Sequence, residues 1–239
     1  MDTQKLQENT EEYFKAHGIV PGQVNELRIG GTVFRFPAGV GLNPYTAEGI
    51  PLLANGAEGI PLSKTPGKIV KGQADYVSLF LLDRGQGFFP IEHPRGPFYT
   101  GATGSAIEIV IGEGYRESLP SDWRLTSAMK AAVSSQRNLQ SFGLEEFIFD
   151  GGKNPGSKKL FYVATNVKTP RGGPLVIGCE PKPDGTGGYL DEASDCSVLY
   201  QAMGGFSVSY SFSGVSFLPD KWQEIHRAVT HFIDSVAVK

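Results

Sequence analysis

From Phe206 to Phe212 the chain alternates without a break: Phe206, Val208, Tyr210 and Phe212 are large and apolar or aromatic, and Ser207, Ser209 and Ser211 fill the gaps. A period of two sends neighbouring side chains to opposite faces of a strand, so this stretch predicts one buried face and one polar face. Shortly afterwards the period changes. Trp222, Ile225, Val229, Phe232, Ile233 and Val236 fall within an arc of roughly 100° at helical spacing. Leu218-Pro219-Asp220 lead into that helix, with Asp220 as the expected N-cap and Gln223 at capping-box spacing behind it. A chain that ends this way must lay an amphipathic helix across a half-buried sheet.

The remaining elements are short and joined by turns. Thirty-one glycines and sixteen prolines among 239 residues make up roughly a fifth of the chain against an average of about an eighth, which leaves little room for long helices. Leu27 and Ile29, the Gly30-Gly31 pair, then Val33, Phe34 and Phe36 read as a hairpin. Asp75 to Leu82, Ala106 to Ile111, Glu145 to Phe149, Leu160 to Thr165 and Pro174 to Cys179 read as further strands, rich in β-branched and aromatic residues. Asp2 to His17, ending at Gly18, and Ser121 to Ser134, rich in alanine, are the expected helices before the last one. Together these predict an α+β fold: predominantly antiparallel β-sheet with hairpins, one internal helix and the C-terminal helix packed on the sheet. The expected organisation is a single unit over 1–239, or two similar halves of about 20–140 and 141–239.

Charge and motif content exclude several classes. Lys and Arg number 22 against 25 Asp and Glu, a net charge of −3, and the longest basic stretch is Lys158–Lys159. Nucleic acid is therefore a poor partner, because phosphate tracking needs clustered cations. No apolar run approaches the ~20 residues of a spanning helix. Phosphate-cradling glycine motifs are absent, and Gly101-Ala102-Thr103-Gly104-Ser105 lacks the spacing of a nucleophile elbow. His226 and His231 diverge by about 140° on a helix and cannot share an ion, and two cysteines without a CxxC make no zinc site. No metal or cofactor is expected. The acid pairs Glu11-Glu12, Glu145-Glu146 and Asp191-Glu192 read as solvated charge, since neighbours on a strand face opposite ways.

The loops are the distinctive part. Ala47-Glu48-Gly49-Ile50-Pro51-Leu52 recurs as Ala57-Glu58-Gly59-Ile60-Pro61-Leu62. Two copies are too few for a solenoid, so this is a duplicated surface loop or a binding loop presenting Ile50, Leu52, Ile60 and Leu62. A second loop, 85 to 99, offers Phe88, Phe89, His93, Arg95, Phe98 and Tyr99, and aromatics with arginine dominate interface hot spots. Phe88 and Phe89 serve equally well as caps on the core. Cys179 and Cys196 flank a stretch with Pro181, Pro183, Gly185, Gly187 and Gly188. Two unrelated buried thiols in a cytosolic protein are one reading; the other is an export-compartment disulfide worth ~3 kcal/mol on the chain-entropy model, with Cα atoms within about 7 Å.

Two stretches carry a resemblance. Asn25-Glu26-Leu27-Arg28-Ile29-Gly30-Gly31-Thr32-Val33-Phe34-Arg35-Phe36-Pro37 at the start, and the cysteine pair, the strand Phe206 to Phe212 and Leu218-Pro219-Asp220-Lys221-Trp222 at the end, resemble exported bacterial immunity proteins, the partners of toxins delivered by type VI or related secretion systems. The likeness covers about a third of the chain, and its motifs are structural. It implies a periplasmic, non-catalytic inhibitor that occludes a cognate secreted toxin, tethered through an N-terminal signal or lipid-anchor segment that this sequence lacks. Competing expectations are a secreted or periplasmic hydrolase with a site assembled from loop residues such as His93, Asp83 and Ser105, and a carbohydrate-binding module with aromatic loops as stacking platforms.

Overall fold

The computed structural model of the chain describes residues 10–46, 69–91, 106–113, 133–149, 158–183, 185 and 189–238. Helix α1, Glu11–His17, starts where the Thr10 hydroxyl accepts from the Tyr13 amide at 3.2 Å and ends at Gly18. Strands β1 (Asn25–Ile29) and β2 (Thr32–Phe36) form the expected hairpin, with Gly30 at φ 57 in the turn, a value that costs glycine nothing. Next come β3 (Asn43–Tyr45), β4 (Gln73–Ala74), β5 (Tyr76–Asp83), β6 (Phe88–Pro90) and β7 (Ala106–Glu113). Then follow β8 (Val133–Leu139), β9 (Leu144–Phe149), β10 (Lys159–Lys168), β11 (Pro174–Pro183), β12 (Tyr189–Gln201) and β13 (Phe206–Ser213). A short helix α2, Gly214–Phe217, precedes the last helix α3, Trp222–Val236.

The fold is α+β. One large antiparallel sheet runs β3-β5-β7-β13-β12-β11-β10-β9-β8, with β6 sharing the outer edge of β5. Strand β13 sits between β7 and β12, so the sheet crosses from the first half of the sequence to the second without a gap. A small sheet, β2-β1-β4, packs on the same face as α3: Phe34 meets Phe206 edge to face at 4.9 Å, and the Val238 amide donates to the Val33 carbonyl at 2.8 Å. Leu27, Ile29, Phe34 and Phe36 thus join one core with the inward residues of the large sheet and with Trp222, Ile225, Val229 and Ile233 of α3. A smaller cluster, Phe149, Phe161 and Val176, lies on the opposite face.

Several expectations need correction. Alternation in β13 holds, but Ser207 on the polar face is only 5% exposed and its hydroxyl donates to the Gly112 carbonyl at 3.4 Å, because the glycine opposite leaves room for it. The N-cap of α3 is Lys221, not Asp220, and no side-chain hydrogen bond caps the helix. The Gln223 amide donates instead to the Phe142 carbonyl, the same oxygen that takes the Trp222 Nε1 proton at 2.9 Å. The helix expected over Ser121 to Ser134 lies outside the described residues as far as 132, and Val133 already belongs to β8. The longest strand among the described residues, β12, is not among the strands expected from the sequence, and β11 runs past Cys179 to Pro183.

Cys179 and Cys196 are disulfide-bonded, with Cα atoms 4.1 Å apart. They stand directly opposite each other on β11 and β12, so the bridge staples two ladder partners and does not close an irregular loop.

Candidate functional site

Where β8, β9, β10 and β12 meet the connection into α3, the core-side face of the sheet is left partly uncovered, and a cleft of about 410 Å³ opens. Register decides its lining. Arg137 and Glu146 are cross-strand partners on β8 and β9, and Glu146 is in turn opposite Tyr162 on β10, which places all three on one face. Glu192 and Ala193 of β12 close the far side, and Val215, Leu218 and Pro219 form an apolar wall. The wall is held close because α2 begins at a glycine: a Cβ on Gly214 would fall 2.7 Å from the Ala193 methyl and 2.8 Å from the Cys196 sulfur. The disulfide therefore backs the wall of the cleft.

Glu146 is the centre of the site. Its side chain is 3% exposed, and it is ion-paired to the Arg137 Nε, whose own side chain is 53% exposed on the open side. The Tyr162 hydroxyl shares a hydrogen bond with the same carboxylate. Burial pushes that phenol well above its ordinary range, the negative charge and hydrogen bond of Glu146 push the same way, and Arg137 opposes them. At the rim, Glu192 pairs with Lys182 at 3.0 Å across an exposed surface. The centre offers charge pairing and hydrogen bonding against an apolar wall. Among the described residues no group of three or more His, Cys, Asp or Glu is placed to hold a metal ion.

This placement corrects the reading of Glu145-Glu146 as solvated charge, since Glu146 is buried. The sequence does hold the signal: Leu144, Glu146 and Ile148 share one strand face, and the two neighbours are apolar. A carboxylate in that row needs a cation, but its partner lies on β8, whose Ser135-Gln136-Arg137-Asn138 run carries no strand propensity.

Of the residues expected to bind a partner, Phe88 and Phe89 are described; Ile50, Leu52, Ile60, Leu62, His93, Arg95, Phe98 and Tyr99 lie outside the described residues. Phe88 packs half-buried on Phe217 at 6.0 Å between ring centres. Phe89 on the same short strand is 44% exposed, with the Arg84 guanidinium 5.8 Å from its ring centre. Asp83, a candidate for a loop-assembled catalytic group, accepts from the Gly85 amide at 2.7 Å and from Lys221 at 3.3 Å; Ser105 and His93 are outside the described residues. His231 is exposed on α3, whereas His226 borders the apolar stripe and meets the Tyr210 hydroxyl at 2.9 Å.

No family model matches the chain, and no curated protein does. Among solved structures it is similar to the Neisseria meningitidis iron-regulated outer membrane lipoprotein FrpD, with a TM-score of 0.48 and 16% identity over 89% of this chain and 92% of that one. A likeness of that size carries no argument about function.

Proposed function

We propose that the chain is a non-catalytic immunity protein of the bacterial periplasm that binds and occludes a cognate secreted antibacterial toxin. The observation that carries the reading is the pairing of two recognition features on one short connection. Val215 and Pro219 wall the cleft, while Phe217 and Lys221 hold the β5–β6 tip through Phe88 and Asp83, with Phe89 exposed on that tip. A preformed cleft beside an exposed aromatic is the anatomy of a hot spot with its surrounding rim, and an occluding interface needs about 800 Å² on each partner. The disulfide supports an oxidising compartment.

Co-expression of the chain with each toxin-like reading frame beside its gene is the direct test, and protection by the chain against one of them is the expected result. Phe89→Ala should then weaken binding by more than about 1 kcal/mol and leave the unfolding midpoint in place. Phe88→Ala is a poorer probe, because its ring is part of the core contact with Phe217. Failure to protect against any candidate overturns the reading, as does hydrolytic turnover by the purified chain that Glu146→Gln abolishes.

A further inference from the structure

We infer that the cleft receives one basic side chain, an arginine, from an extended partner segment that lies along β8. This rests on the chain being a binding protein, but not on the partner being a toxin.

Charge comes first. Among the described residues, three charged groups line the cleft: the carboxylates Glu146 and Glu192 and the cation Arg137. Glu146 is buried while Arg137 reaches it from the solvent side, so a position for a guanidinium against Glu146 already exists and the protein fills it with its own side chain. A buried carboxylate stripped of its cation is strongly unfavourable. An incoming guanidinium that makes the same contacts removes that penalty when Arg137 swings outward. Glu192, at the rim, then supplies a second carboxylate, since its pair with Lys182 is exposed and weakly held. An acidic side chain would meet two carboxylates at once.

Shape agrees with charge. Val215, Leu218 and Pro219 present an apolar wall to the aliphatic stem of a long basic residue. A volume of about 410 Å³ lies near the lower end of the ~300 to 1,000 Å³ of ligand cavities, enough for one long side chain and too small for a bulky cofactor. Direction follows from the strand. Arg137 and Leu139 are alternate residues of β8, and among the described residues β8 is paired on one side only, to β9. A segment added along the other side places every second side chain on the face of Arg137 and Leu139, at the cleft.

The test uses the whole chain and three capped pentapeptides, in which a central arginine, citrulline or glutamate is flanked by valines and threonines, titrated by calorimetry. The arginine peptide should bind about tenfold or more tightly than the citrulline peptide, the gain expected of a charge-assisted hydrogen bond over a neutral one. Glu192→Gln, a surface change, should weaken the arginine peptide about threefold or more with no shift in unfolding. Arg137→Gln should tighten it, a direction that a purely structural role for Arg137 does not produce. Equal affinity for the arginine and citrulline peptides, or preference for glutamate, overturns the inference. A chain that binds the arginine peptide but protects against no toxin keeps this site and removes the toxin. Protection that Glu192→Gln and Arg137→Gln leave unchanged, with no peptide bound, removes this site and keeps the toxin.

Discussion

Tyr210 on β13 and Tyr162 on β10 belong to the same core on the same face of the large sheet, and each phenol meets a titratable side chain. Tyr210 meets His226 of α3, a helix docked over the middle of the sheet, and burial pushes that imidazole down to about 4. The contact stays neutral. Tyr162 meets Glu146 near the sheet edge, where the cleft lets an exposed guanidinium reach the carboxylate. There the contact adjoins an ion pair. Closer cover by α3 makes the Tyr210–His226 contact part of the packing, whereas incomplete cover at β8 leaves an ionic centre open to the cleft.

Removing the cover is the harshest way to break this comparison. Trp222 is fully buried at the start of α3, and its indole donates to the Phe142 carbonyl between β8 and β9. Trp222→Ala should cost ~3 to 5 kcal/mol in denaturant unfolding, and a smaller loss would mean that α3 covers the sheet more loosely than the burial implies. Acid titration sharpens the contrast from the neutral side. Because the folded value of His226 lies near 4 and its ordinary value is 6.5, the unfolded chain takes up the proton first. Its contribution is complete above pH 6.5 and is lost as pH falls through 4, up to about 3 kcal/mol. Burial also lowers His17, so the wild-type slope contains both groups. His226→Gln, which keeps a hydrogen-bonding partner for Tyr210, should remove the larger share, and an unchanged slope would show that His226 titrates normally. On the charged side, Arg137→Gln should cost ~1 to 3 kcal/mol by leaving Glu146 without its cation. A null effect would mean that water already serves the carboxylate.

The core half of this comparison was legible in the sequence. Period two in Phe206 to Phe212 and the helical stripe from Trp222 are dense local signals, and both elements form where they say. The cleft half was not. Asp191, Glu192 and Asp195 are poor strand formers, yet β12 is the longest strand because ladder partners on both sides and the bridge at Cys196 hold it extended. The capping box at Asp220 failed for the same kind of reason, since the Gln223 side chain donates to the distant Phe142 carbonyl and not to its own helix start.

By itself the sequence determined the fold class, the hairpins and the buried stripe of the last helix, because each of these depends on residues close along the chain or on simple periodicity. It left the two cysteines open between a disulfide and separate thiols, and the register of β11 against β12 decided for the disulfide. Only the tertiary structure decided that Glu146 is buried against Arg137, that Glu192 lines the same cleft and that Gly214 seats the apolar wall on the disulfide. Those positions depend on strand register and on contacts between segments far apart in sequence. A one-residue slip would turn Glu146 to the other face of the sheet together with the buried Leu144 and Ile148, so it is the packing of those two residues in the tertiary core that fixes where the carboxylate lies.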